Sequence, residues 1–152
     1  MFSVKIIAVG KLKEKFYLAA CDEYLKRLST MADIRIVELT EEAGRPDGLE
    51  REAEKILAAI PKQSYVCAMC IEGKMMDSPA LARVFSDIQN RGYSSMTIII
   101  GSSNGMSDSV KSRADMRLSM SPMTFPHHLA RVMVLEQVYR ALSINAGSKY
   151  HK

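Results

Sequence analysis

Two adjacent histidines, His127 and His128, open a long apolar run, and Arg131 follows one helical turn after the first of them. The stretch reads SMSPMTFPHHLARVMVLEQVYRAL, Ser119 to Leu142. A histidine at a helix start feels the positive end of the helix dipole, which disfavours imidazolium, so a neutral ring able to accept a proton is expected. At 100° per residue, Val134, Leu135, Val138 and Leu142 fall within about 60° of Arg131, with Glu136, Gln137 and Arg140 on the opposite side. A cation in an apolar stripe must find a partner or reach a cleft. It either steadies an anion or polarised base, or it snorkels or serves a subunit interface. Apolar residues cover more than half the circumference, with Val132 and Tyr139 on a second flank. One sheet face needs less than that, so a subunit interface through this helix is expected, with Val132, Leu135 and Tyr139 buried in it.

Other chemistries lack their residues. There is no H-E-x-x-H and no third ligand near the histidines, so no metal is expected. No G-x-S-x-G elbow marks a serine hydrolase. Cys67 and Cys70 form a C-x-x-C, but inside a strand-like run that sends them to opposite faces. IIIGSSNGM places Gly101 and Gly105 at a spacing that fits neither a dinucleotide fingerprint nor a P-loop. Gly101 at a strand end still permits close backbone approach to a ligand, although an ordinary turn there reads the same way.

Alternating elements must position these residues. Strands are expected over Val4–Val9, over DIRIVEL with Ile34, Ile36 and Glu38 on one side, over SYVCAMCI, over Met96–Ile100 and over MRLSM. Helices are expected between them: one with Phe16, Ala20, Tyr24 and Leu28 on its buried stripe, one through Leu49, Ala53, Ile56 and Leu57, one capped by Ser78 with Pro79 at its first position, a short one after Ser107, and the last from Pro126 or His127 to Ser143. Five β-α units predict an open, mostly parallel α/β sheet covered on both faces, in a single domain spanning 1–152. Ligands of such sheets sit beyond the strand carboxyl ends, at the loops after Ile71, Ile100 and Met120. The C-terminal SKYHK reads as a disordered end.

Composition agrees with a globular domain: 152 residues, 47% hydrophobic and 25% charged. No apolar run is long enough to span a bilayer and no signal peptide is visible, so a cytoplasmic protein is expected. A net charge of +4 permits contact with nucleic acid through a folded surface, without a basic arm.

IIIGSSNGM, LSMSPMTFPHHLARVMVLEQVYRA and the terminal YHK together resemble the ribosomal RNA large subunit methyltransferase H family, a minimal branch of the SPOUT methyltransferases, and the resemblance runs the full length. It implies a C-terminal trefoil knot, an exception to the rule that chains avoid knots. It also implies a homodimer that binds S-adenosylmethionine, uses no metal and methylates N3 of a pseudouridine in helix 69 of 23S rRNA on the ribosome. The cofactor positions it implies are Met69, Gly101, Met120, Ser121, Pro122, Met123, Thr124 and Phe125. The implied catalytic positions are Arg131, His127, Tyr150 and His151, the last two from the tail. Ser102 departs from the family, where a second glycine is common. Two alternatives remain at this stage: a non-enzymatic ribosome-binding factor, and a SPOUT enzyme acting on a different nucleoside.

Overall fold

The computed structural model describes residues 1–152. Strands β1 (Ser3–Val9), β2 (Asp33–Leu39), β3 (Ser64–Lys74), β4 (Ser95–Ile100) and β5 (Met116–Leu118) alternate with helices α1 (Lys15–Leu28), α2 (Gly48–Ala59), α3 (Ser78–Asn90), α4 (Asp108–Arg113) and α5 (His127–Asn145). The strands form one sheet in the order β2-β1-β4-β3-β5, with every pair parallel. Strand parity divides the core in two. Val4, Ile6 and Ala8 of β1 and Ile98 and Ile100 of β4 meet α1, α3 and α5. Ile7, Val9 and Ile99 meet Ile56 of α2 and Val110 of α4 on the other face. The α/β expectation holds, and so does the separation of the cysteines: Cys67 lies in the first layer and Cys70 in the second. No helix is long and apolar enough to cross a membrane.

Four local expectations need correction. The buried stripe of α1 is rotated by one residue: Tyr17, Cys21, Tyr24 and Leu28 face inward, whereas Phe16 is 67% exposed. Both stripes share Tyr24 and Leu28, so periodicity alone does not separate them. The cap of α3 is Asp77, whose Oδ1 accepts from the Ala80 amide at 2.8 Å. Ser78 is freed to donate to Gln137 of α5 at 2.7 Å.

The third correction concerns β3 and β5. β3 extends to Lys74 and β5 stops at Leu118, because β3 bulges and returns to Leu118 a second time through Lys74. A side chain at Gly73 would stand 2.7 Å from the Leu118 carbonyl carbon, so glycine permits that approach. Finally, the tail is ordered against α5. The Tyr150 hydroxyl donates to Glu136 at 2.7 Å, its ring packs 4.7 Å from that of Tyr139, and His151 Nδ1 lies 3.1 Å from the Arg140 guanidinium. An aromatic contact and two side-chain hydrogen bonds hold the tail in a way that its composition alone does not reveal.

Candidate functional site

The carboxyl-terminal half of β3 (Met69–Glu72) and the loops after β4 and β5 converge on one cleft of about 720 Å³ at the carboxyl edge of the sheet. Seven of the eight expected cofactor residues line it: Met69, Gly101, Met120, Ser121, Met123, Thr124 and Phe125. Pro122 does not, and its part is to stiffen the loop. His127 closes the mouth from the first turn of α5.

Each loop is held by a different device. A Cβ at residue 101 would collide with the Gly105 carbonyl, so only glycine lets the β4 loop fold back on itself. Gly105, at φ +87°, completes that turn and donates its amide to the Ser102 carbonyl at 2.9 Å. In the β5 loop, Ser119 Oγ donates to the Ser121 carbonyl at 3.1 Å and Ser121 Oγ accepts from the Met123 amide at 3.0 Å. The amides of Met120, Ser121, Thr124 and Phe125 find no acceptor within the chain. These residues are half-buried or exposed, so their amides are open to a ligand that enters the cleft. A stiff loop with free amides and carbonyls beside a glycine cradle therefore suits a planar heterocycle carrying donors and acceptors, such as adenine.

Glu52 is a residue supporting the cleft that the sequence reading missed. It is buried at 3% exposure in α2. Its Oε1 accepts from Ser102 Oγ at 3.0 Å and its Oε2 from the Glu42 amide at 2.9 Å. The residue that departs from the family's glycine thus ties the β4 loop to α2. Removing the carboxylate in Glu52→Ala leaves one buried and one half-buried donor unmatched, at about 1–3 kcal/mol. We expect a lower denaturant midpoint and weaker binding at the cleft, with Ser102→Gly showing the smaller effect on stability. Equal midpoints for Glu52→Ala and wild type would contradict this role.

Arg131 finds its partner in the chain. It is 3% exposed, pairs through Nη1 with Glu38 Oε2 at 2.5 Å and donates through Nη2 to the Gly10 carbonyl at 3.1 Å. Burial pushes the Glu38 carboxyl up, but the bonds from Arg131 and the Leu12 amide outweigh it and hold the group below its usual range. Arg131 lines neither the cofactor cleft nor the groove beside Gly10. Of the readings open for Arg131, a partner within the chain is the one seen: it braces α5 against β2 and the Gly10 turn. That turn has φ +109°, and a Cβ there would stand 3.2 Å from His127 Nε2, so glycine gives the imidazole its room. Burial pushes the His127 ring below its ordinary value, and the charge of His128 adds to this, which leaves a neutral ring at neutral pH. The tail lies elsewhere. His151 lines a second, more apolar cleft with Met76, Gln137 and Met133, which touches the first only through Met69 and Leu118–Met120. One chain thus brings His127 into the cofactor cleft, whereas His151 faces only its Met69–Met120 edge from the second cleft and Tyr150 lines neither.

The family described as "Predicted SPOUT methyltransferase" matches residues 2–151. A probable methylase family protein from Haemophilus influenzae Rd KW20 shares the fold, with a TM-score of 0.58 at 12% identity over 98% of this chain and 70% of that one. The knot implied by the resemblance is part of that fold. Proteins named ribosomal RNA large subunit methyltransferase H, from Clostridioides difficile (strain 630) and Clostridium novyi (strain NT), are 46% and 47% identical, each over 99% of both chains. The chain belongs to the ribosomal RNA large subunit methyltransferase H family.

Proposed function

We propose that this protein transfers a methyl group from S-adenosylmethionine to N3 of a pseudouridine in helix 69 of 23S rRNA, in the cytoplasm. The observation that carries the reading is the convergence of the β4 and β5 loops, with unmatched main-chain groups, and the end of β3 on a cleft whose mouth is a neutral histidine. Full-length similarity to enzymes named for the large-subunit ribosomal RNA supports the substrate class.

Met69, Gly101 and Met120–Phe125 hold the cofactor, with adenine against the free amides of the β5 loop. The cofactor supplies a methyl group on a sulfonium, which needs little activation. The acceptor N3 must lose a proton as its bond to the methyl carbon forms. His127 takes that proton or positions the base for its loss, and Arg131 fixes the α5 start from which His127 reaches. Glycine, serine and main-chain groups do the binding, so no metal enters. Calorimetry on chelator-treated protein should show heat on adding S-adenosylmethionine. Heat that appears only after metal is restored would contradict it.

The working unit is a homodimer. Leu135 is fully buried within its own chain, which removes it from the expected interface. Val132, Met133 and Tyr139 remain half-buried on α5 for a second copy. Because the tail of one chain lies away from its own His127, Tyr150 and His151 act on the target base held by the other chain. Light scattering should give twice the chain mass at micromolar concentration; an active monomer would contradict the shared site. The function itself is tested in a strain lacking this gene. Mass-spectrometric mapping of its 23S rRNA should show an unmethylated pseudouridine in helix 69, restored by the intact gene. Full methylation in its absence would overturn the reading.

A further inference from the structure

Phe16 has no structural reason to be where it is. It is the most exposed aromatic side chain and sits in the first turn of α1. Its ring lies 4.4 Å from that of Tyr17; Tyr17 meets His128 edge-on at 6.4 Å; His128 lies 4.2 Å from His127. Four rings thus run from solvent to the mouth of the cofactor cleft. Beside them is a polar groove of about 570 Å³ lined by Gly10, Lys11, Lys13, Glu14, Glu38–Glu41, His127 and His128, and His127 is the residue it shares with the cofactor cleft. Lys11, Lys13 and Lys15 are exposed and make no ion pair, whereas the carboxylates around them are engaged: Glu14 with His128, Glu38 with Arg131 and Glu41 with the Ser103 hydroxyl. Lys15 in the first turn also opposes the helix dipole, so folding does not explain it.

We propose that Lys11, Lys13, Lys15 and Phe16 form the docking surface for an unpaired RNA loop, and that the polar groove leads its strand to His127. Unpaired bases stack on exposed aromatic rings, and lysines match the phosphates between them. The charge argues for RNA over a second copy of the chain. Interfaces between copies are depleted of lysine, and two sets of three unpaired lysines brought together would repel. The proposal rests on the RNA methyltransferase reading and adds the surface through which the substrate arrives.

Co-sedimentation with ribosomes measures this docking without requiring methyl transfer. Phe16→Ala should weaken ribosome binding by about 5- to 150-fold, the range that one lost base–aromatic stack produces. Phe16→Trp should restore it, while S-adenosylmethionine affinity, thermal midpoint and oligomeric mass stay at wild-type values. A Lys11→Gln, Lys13→Gln, Lys15→Gln variant should lower the slope of log affinity against log salt by about 2, at about 0.7 per phosphate contact on a single strand. Wild-type ribosome affinity in Phe16→Ala, or its conversion to monomer, would overturn the docking surface. Those outcomes are distinct from failure of the catalytic reading, in which the wild type binds ribosomes through this surface and transfers no methyl group.

Discussion

Replacing Glu38 by alanine should be among the most destabilising single changes on this protein's surface. The side chain is 37% exposed, so it looks dispensable, but its partner Arg131 is 3% exposed. Truncating Glu38 leaves a buried guanidinium facing only the Gly10 carbonyl, and breaking a buried pair from one side costs about 3–5 kcal/mol, somewhat less where water reaches the gap. Arg131→Met removes the charge together with the need for a partner and should cost less, although the Gly10 carbonyl loses its donor. The order Glu38→Ala below Arg131→Met below wild type, read in thermal midpoints, checks the brace; equal midpoints for all three would refute it. The acid limb follows in sign. Because the Glu38 carboxyl is held below its usual value of 4.5, its contribution is present above that pH and is lost as pH falls further.

The second large effect is chemical. His127→Ala should lower single-turnover methylation of ribosomes by about 10²–10⁴-fold while leaving cofactor affinity unchanged, since a positioned proton acceptor acts only in the transition state. Deletion of Tyr150–Lys152 should fall in the same direction with the fold intact. The pH profile carries a separate signature. His127 is pushed below its usual value of 6.5, so the wild-type rate should hold steady from neutral pH down past 6.5 and fail only at more acid pH. An inflection above 6.5, or wild-type turnover in His127→Ala, would remove His127 from the chemistry.

The parts of this site that were legible in the sequence are those that local periodicity encodes. The β-α alternation places three small-residue loops at strand ends, and the need of Arg131 for a partner follows from its stripe. The partner itself was half visible: Glu38 shares a side of β2 with Ile34 and Ile36, but 93 residues separate it from Arg131, and nothing local joins them. Glu52 was hidden for a related reason. It sits among the charged residues of an amphipathic helix, and only the fold shows that the Ser102 loop covers it. Phe16 was misplaced because two adjacent stripes share Tyr24 and Leu28. The knot came from family resemblance, since threading leaves no trace in periodicity.

The proposed role of the carboxyl-edge cleft is methyl transfer to ribosomal RNA. Its most direct test combines ribosomes purified from a strain lacking this gene, methyl-labelled S-adenosylmethionine and two proteins, the wild type and Gly101→Ala, whose added Cβ would collide with the Gly105 carbonyl. The account predicts one labelled pseudouridine in helix 69 of 23S rRNA with the wild type, and neither label nor calorimetric cofactor binding with Gly101→Ala. Label on another RNA, or a Gly101→Ala protein that binds and transfers like the wild type, would contradict it.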